Sequence, residues 1–484
     1  MTPADDGLVL DDVDPASARR VHLVGVAGTG MGAFAGMLKA AGHEVSGSDQ
    51  NVYPPMSDML RAWGIPVLTP YAPSNLDTVK PDLVVIGNVI RRVNPEATEV
   101  RARRLPQMSF PAALGAFFLG SRHSVVVAGT HGKTTTTALL GHVLTAAGRD
   151  PSFLVGGVAR NYDANFRLGS GPHFVVEGDE YDTAYFDKGP KFLHYRPRTA
   201  ILTSIEFDHA DIFRDLAHYE AAFERFVRLL PPDGCLAVGA GYANALRIAR
   251  TSVVRVVTYG LGDAAADLDY TARDLTHDPK GACFTVLERG RVLGVATLPG
   301  GGAQNVENAL GVVAATRALG LEFDAITPGL ATFAGVRRRQ EIRGEVAGVT
   351  VVDDFAHHPT AVRATIAALQ ARFPGRRLWA AFEPRSNTSR RRVHQAEYVE
   401  ALAGAPCVVL KVPEPHDMVP TDQRLDADRV VADLRARGVD AHSDADVDRL
   451  VRIVAEGARP GDVVLAMSNG AFGGFIDRLL AALS

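Results

Sequence analysis

The apolar run Ser124-Val125-Val126-Val127-Ala128 leads directly into Gly129-Thr130-His131-Gly132-Lys133-Thr134-Thr135, and a helix-forming stretch follows as far as Gly148. A strand that turns through glycines into a helix needs a parallel neighbour and a crossover to cover it. This segment therefore restricts the chain to an α/β fold built on a parallel sheet. It also restricts the chemistry. Backbone N–H groups in a tight glycine turn converge on phosphate oxygens, and the helix N-terminus adds partial positive charge. Lys133 is placed to reach the β- and γ-phosphates of a nucleoside triphosphate, and Thr134 offers a hydroxyl to Mg2+. The common phosphate-loop spacing has a glycine at 127, where this chain carries Val127. On spacing alone, an ordinary strand-to-helix turn is the alternative.

The 484 residues exceed one ordinary core, so several domains are expected. Residues 1–20 read as a polar extension. The block 21–120 opens with a strand over 21–24, a turn holding Gly25, Gly28, Gly30 and Gly32, and a helix to Ala41. Further strands over 44–47 and 83–86 end near Asp49 and at Gly87-Asn88. The glycines there serve either a phosphate-bearing ligand or close helix packing. The block 121–336 carries the phosphate loop with a helix over 135–147, strands at 174–176 and 200–204, a helix over 217–230, a small accessory sheet within 253–298, and a helix over 305–319. The block 337–484 alternates again, with strands at 349–352, 378–382, 408–412 and 463–467, a helix over 360–373, and a final amphipathic helix bearing Ile476, Leu479, Leu480 and Leu483. The Ala/Asp run 263–269 reads as a solvated loop.

A formal charge of −4 and 22% charged residues give no broad basic field, which argues against nucleic acid and anionic membrane as partners. The chain shows no signal-type apolar core and no apolar run long enough for a membrane span. Cys235, Cys283 and Cys407 lie far apart with apolar neighbours, as structural thiols do, and a reducing cytoplasm fits. The sequence carries no signal for an oligomeric state.

Two acidic clusters follow strands of the second block: 177–182 (Glu-Gly-Asp-Glu-Tyr-Asp) and 206–211 (Glu-Phe-Asp-His-Ala-Asp). Strand C-terminal ends border the ligand crevice in open α/β sheets, and carboxylates there suit Mg2+. Solvated loops and helix caps are the alternative. Alone, His209 would be an ordinary structural histidine; Asp208 and Asp211 beside it favour a ligand. Arg337-Arg338-Arg339 is either a solvated basic stretch or a reach across to a nucleotide. His357-His358 point in different directions, which favours a structural or nucleotide-side role over a metal site.

In order along the chain stand Gly25, Gly28, Gly30, Met31 and Gly32; the phosphate loop; Glu177; the Glu-x-Asp-His segment ending at His209; Asn305 and Asn308; Arg338-Arg339; and Asp353-Asp354-Phe355-Ala356-His357-His358-Pro359. This ordered set resembles the Mur ligase family, whose members add amino acids to UDP-N-acetylmuramate through an acyl phosphate. The resemblance implies three domains: a Rossmann-like N-terminal domain, a central ATPase domain and a Rossmann-like C-terminal domain. It implies catalytic roles for Lys133, Glu177 and His209. It implies ATP contacts from Gly129 to Thr135 and from Asn305, Asn308, Arg339 and Asp354. Mg2+ would sit on Thr134 with Glu177, and on Glu177 with His209. The UDP-sugar would meet Gly28, Gly30, Gly32, Asp49 and Asn88.

Residues 47–56, 179–182, 186–188, 383–388 and 467–470 look closer to the branch that joins the tripeptide L-alanyl-γ-D-glutamyl-meso-diaminopimelate to UDP-N-acetylmuramate, with Arg385, Ser386 and Asn387 contacting the peptide. A helix-start loop is the other reading of those three. The alanine-adding branch is the alternative activity, and a non-catalytic UDP-sugar sensor a further one. Gln304 departs from the histidine often found there. No lysine lies between Ala210 and Gly234, so the carbamoylated lysine that bridges metals in other branches is absent; Glu220 and Glu224 are substitutes or surface charges.

Overall fold

The computed structural model describes residues 6–54, 56–262, 267–414 and 419–484. Residues 1–5 of the polar extension, Pro55 of the 47–56 segment and 263–266 of the Ala/Asp run lie outside the described residues. Three large sheets follow one another along the chain.

The first is six-stranded and wholly parallel, in the order Leu8–Val9, Pro106–Ser109, Leu83–Ile86, Arg20–Val24, Glu44–Ser48, Val67–Leu68. Arg20–Val24 lies in the middle, so its glycine turn opens where the strand order reverses. The extension is not merely polar tail: Leu8–Val9 adds an edge strand, and the Gln107 amide donates to the Asp6 carbonyl at 2.6 Å.

In the second sheet the strand His123–Ala128 lies between His173–Gly178 and Thr199–Leu202, all parallel. Register places Glu177 opposite Val127 and Leu202 opposite Ala128. Both acidic clusters therefore emerge beside the phosphate loop. Val127 is fully buried inside its strand, so the turn here begins only at Gly129. The accessory sheet is not separate. Arg255–Gly260 continues the parallel sheet, and the antiparallel strands Tyr270–Asp278, Gly281–Glu288 and Arg291–Pro299 extend it.

The third sheet runs Glu341–Val346, Val349–Asp354, Val463–Met467, Leu378–Phe382, Cys407–Lys411, Asp440–Asp444, parallel but for the first strand. Its helices Ala427–Ala436 and Val447–Gly457 and its polar edge strand Asp440–Asp444 were not foreseen from the sequence.

The packing between blocks is unequal. One buried apolar cluster contains Leu23, Phe34 and Phe110 of the first block together with Val126, Phe174 and Tyr219 of the second. Trp63 and Phe166 meet edge-on across that seam at 5.2 Å. The third block has two apolar clusters of its own, on the two faces of its sheet, and among the described residues neither reaches into the second block.

Candidate active site

The helix Lys133–Ala146 starts immediately after Gly132, so its first N–H groups face the turn. Gly129 and Gly132 adopt φ of +132° and +77°, which a side chain would strain. The turn is braced from the strand beside it. Ser204 Oγ accepts the His131 N–H at 2.9 Å, Thr203 Oγ1 donates to the His131 carbonyl at 2.6 Å, and Thr130 Oγ1 donates to the Glu206 carbonyl at 3.0 Å.

Lys133 does not hang free. Its Nζ donates to the Gly129 carbonyl at 2.6 Å and to both oxygens of Glu180, at 2.9 and 2.8 Å. Glu180 is fully buried and also accepts from His209 Nε2 at 2.9 Å and the Tyr219 hydroxyl at 3.1 Å. Burial pulls the Lys133 ammonium down, but Glu180 and Asp179 outweigh it and hold its pKa above the usual value. For His209 burial likewise opposes charge, yet Asp208 and Glu180 push it up to about 9. His209 is thus an imidazolium at neutral pH, with a left-handed backbone (φ +56°).

Glu177 belongs to a different contact set. It accepts the Thr134 hydroxyl at 3.0 Å and the Gly156 N–H at 2.8 Å, and burial pushes its pKa up against the opposing pull of Lys133. A threonine hydroxyl beside a carboxylate at a helix N-terminus is a hard-oxygen donor pair of the kind Mg2+ takes. His209 meets Glu180, not Glu177. Glu180 was unforeseen as a site residue, since nothing in its spacing from Glu177 shows which of the two carboxylates turns toward the lysine. Glu220 pairs with Arg247 and Glu224 with Arg228, so both are engaged on their helix surface.

A cavity of about 430 Å3 opens beside the turn, lined by His131, Thr135, Asn305, Asn308, Arg339 and Asp354 among others. Asn308 packs on Gly132, where a Cβ would come within 2.6 Å of its Oδ1. Asn305 donates to the Gly301 carbonyl at 2.9 Å. The three consecutive arginines have three fates. Arg337 pairs with Asp163, Arg338 donates to the carbonyls of Ser468 and Gly470, and half-buried Arg339 donates to Thr134 Oγ1 at 3.3 Å and lies over the Phe355 ring. Asp354 accepts the N–H groups of Gln340 and Ala356.

His131, Glu206 and His358 bring possible ligand atoms within 4.8 Å of one another. However, His358 caps the helix Pro359–Arg372, its Nδ1 accepting the Thr360 N–H at 3.3 Å. The ring is neutral, since burial and His131 lower its pKa to about 3, so its proton resides on Nε2. That nitrogen then has no lone pair for a cation. The helix-cap role is the one the geometry supports.

In the first block the predicted UDP-sugar residues differ. Gly28 is exposed, and a Cβ there would meet only the Gly25 carbonyl at 3.7 Å. Gly32 is buried, and a Cβ there would collide with Met56, so it serves helix packing. Asp49 accepts the Ala27 N–H at 2.9 Å and fixes the turn; Asn88 is exposed at its strand end. In the third block Arg385 is exposed over Gly470, Ser386 Oγ accepts the Ser389 N–H, and Asn387 donates to Asp211 of the second block at 2.9 Å.

Three profiles match in succession: "Mur ligase family, catalytic domain" at 20–122, "Mur ligase middle domain" at 127–316 and "Mur ligase, glutamate ligase domain" at 338–470. The chain belongs to the Mur ligase family. It is an ATP-dependent ligase with that family's three-domain architecture. It is 40% identical over 468 residues to the UDP-N-acetylmuramate–L-alanyl-γ-D-glutamyl-meso-2,6-diaminoheptandioate ligase of Escherichia coli, covering 96% of this chain and 98% of that one. It is 41% identical over 409 residues to the UDP-N-acetylmuramate–L-alanine ligase of Kineococcus radiotolerans, covering 84% and 83%. The crystal structure of a murein peptide ligase from Psychrobacter arcticus superposes with a TM-score of 0.70 at 34% identity, covering 96% and 98%.

Proposed function

We propose that this ligase joins L-alanyl-γ-D-glutamyl-meso-diaminopimelate to UDP-N-acetylmuramate, with ATP converted to ADP and phosphate, in cytoplasmic recycling of peptidoglycan. Arg385 carries the reading. It is exposed at the C-terminal end of the strand Leu378–Phe382 and makes no ion pair among the described residues. A tripeptide with several carboxylates has use for an unpaired guanidinium there; Ser386 and Asn387 complete the segment. The full-length match to the E. coli peptide ligase supports it. No described helix is long and apolar enough to cross a membrane, which is compatible with cytoplasmic substrates.

A carboxylate is a poor acyl donor, so its oxygen must first take the γ-phosphoryl group. Lys133 neutralises charge on that group once phosphate oxygens replace Glu180 as its partner. The residues from Gly129 to Thr135 cradle the phosphates, with Asn305, Asn308, Arg339 and Asp354 around the rest of the nucleotide. Thr134 and Glu177 would hold one Mg2+, and His209, once it has shed its proton, would serve a second. When bound, Mg2+ supplies electrostatic stabilisation of the transferring phosphoryl group. Gly28 and Gly30, with Asp49 and Asn88 nearby, leave the UDP diphosphate room at the first turn. The peptide's neutral amine then attacks the acyl phosphate, forming the amide and expelling phosphate.

The alanine-adding reaction is the second reading, favoured by the K. radiotolerans match. Offering UDP-N-acetylmuramate and ATP with either tripeptide or L-alanine separates them. Phosphate release is expected with the tripeptide; release with L-alanine alone would overturn the choice.

A further inference from the structure

Asn387 and Thr388 stand in the segment whose neighbour Arg385 faces outward, yet both turn the other way, onto the loop that carries His209. Asn387 Nδ2 donates to Asp211 Oδ2 at 2.9 Å, and Thr388 Oγ1 accepts the Ala210 N–H at 3.2 Å. On the other side of His209, Asp208 lies 3.8 Å from His357 Nε2 of the third block. His209 itself has a left-handed backbone, which a residue with a Cβ keeps only when its surroundings hold it. Within its own block the loop is held by the Asp208 carboxylate on the His209 N–H and by the Ile212 and Phe213 N–H groups on the His209 carbonyl. The His209 side chain is held there too, by Glu180 at 2.9 Å and by the Tyr181 ring at 4.2 Å. The ties to Ala210 and Asp211, however, come from the third block, which no apolar cluster among the described residues fastens to the second.

We propose that Asn387 and Thr388 are positioning residues, which set the His209 loop when the third block seats, so that docking of the amine-binding domain and completion of the phosphate site are one event. This rests on the ligase reading above, and it gives Asn387 a task other than holding the peptide. The seated loop presents His209 to Glu180, and Glu180 in turn holds Lys133. The contact thereby connects the end of the molecule that takes the amine with the end that activates the acid.

The test exchanges the partners. N387A and D211A should each lower kcat about tenfold, with KM for ATP, UDP-N-acetylmuramate and tripeptide within about twofold of wild type, because the interaction acts on the assembled site and not on ground-state binding. N387D sets two carboxylates against each other and should be worse. N387D combined with D211N restores one N–H···O bond with donor and acceptor reversed, and should return kcat to within about threefold of wild type, since contacting residues are strongly non-additive. Hydrogen exchange of the amides in 206–213 should speed up in N387A and slow again in the exchanged pair. A raised tripeptide KM with unchanged kcat in N387A would return Asn387 to the peptide site. An exchanged pair no better than N387D, wild-type turnover in N387A, or unchanged exchange in 206–213 would each overturn the proposal. A wild-type enzyme inactive with both amines would instead overturn the ligase reading, and the exchange measurement would still decide the contact.

Discussion

The two seams of this molecule are built from different materials. Between the first and second blocks, Phe34, Phe110, Phe174 and Tyr219 belong to one buried apolar cluster. Between the second and third, the contacts are polar and directional: Arg339 to Thr134, Thr360 to Glu206, Asn387 to Asp211. Apolar area resists separation over its whole extent, whereas a few hydrogen bonds against water contribute little net stability and can be exchanged for solvent. The first seam therefore fixes the glycine turn after Arg20–Val24 relative to the phosphate loop. The second can be exchanged for water, which would let the third block leave and return in the proposed reaction, where closure keeps water from the acyl phosphate.

Breaking the site beneath the second seam should have the largest effect. Lys133→Ala should lower turnover by roughly three orders of magnitude or more, because the phosphoryl charge loses its preorganised cation. UDP-N-acetylmuramate binding, measured by calorimetry, should remain; near-normal turnover would remove the loop from the mechanism. Arg339→Ala reaches the same site from the third block and should lower kcat about a hundredfold. Its melting temperature should hardly change, and a large drop would mean that this seam carries stability after all.

The converse holds at the first seam. Phe166→Ala removes the ring that packs on Trp63 and should cost about 3 kcal/mol of stability, visible in denaturant unfolding. The folded fraction should keep its kcat, and a selective loss of turnover without destabilisation would erase the contrast between the seams.

The smallest effect concerns pH. His358 lies at the second seam with its folded pKa lowered to about 3, against about 6.5 in the unfolded chain. Between those values the unfolded state binds the extra proton, so its stabilisation is present above pH 6.5 and lost as pH falls, by up to about 1.4 kcal/mol per unit. His358→Asn keeps a helix cap but removes that titration. Melting temperatures from pH 7.5 to 5.5 should fall less steeply in the variant; parallel slopes would contradict the assignment.

What could be read from the sequence follows the same division. The phosphate loop was legible because its geometry is local: glycines at positive φ, then a helix start. The position of the two acidic clusters, 177–182 and 206–211, beside the loop was legible because parallel register brings the ends of neighbouring strands to one edge. Glu180 was not, since which carboxylate turns inward depends on a lysine 47 positions earlier in the chain. The fates of Arg337, Arg338 and Arg339 depend on the second block and on distant parts of the third, and the bond from Asn387 to Asp211 crosses between blocks, which no local pattern shows. The strand Asp440–Asp444 escaped notice because an edge strand with the sequence Asp-Ala-His-Ser-Asp has no apolar alternation to reveal it.

The central claim is that ATP activates the sugar-nucleotide carboxylate as an acyl phosphate, and oxygen labelling tests it directly. UDP-N-acetylmuramate carrying 18O in its lactyl carboxylate would be turned over with ATP and the tripeptide, and the released phosphate analysed by mass spectrometry. The account predicts one labelled oxygen in phosphate for each amide formed from a doubly labelled carboxylate. Unlabelled phosphate accompanying amide formation would contradict it.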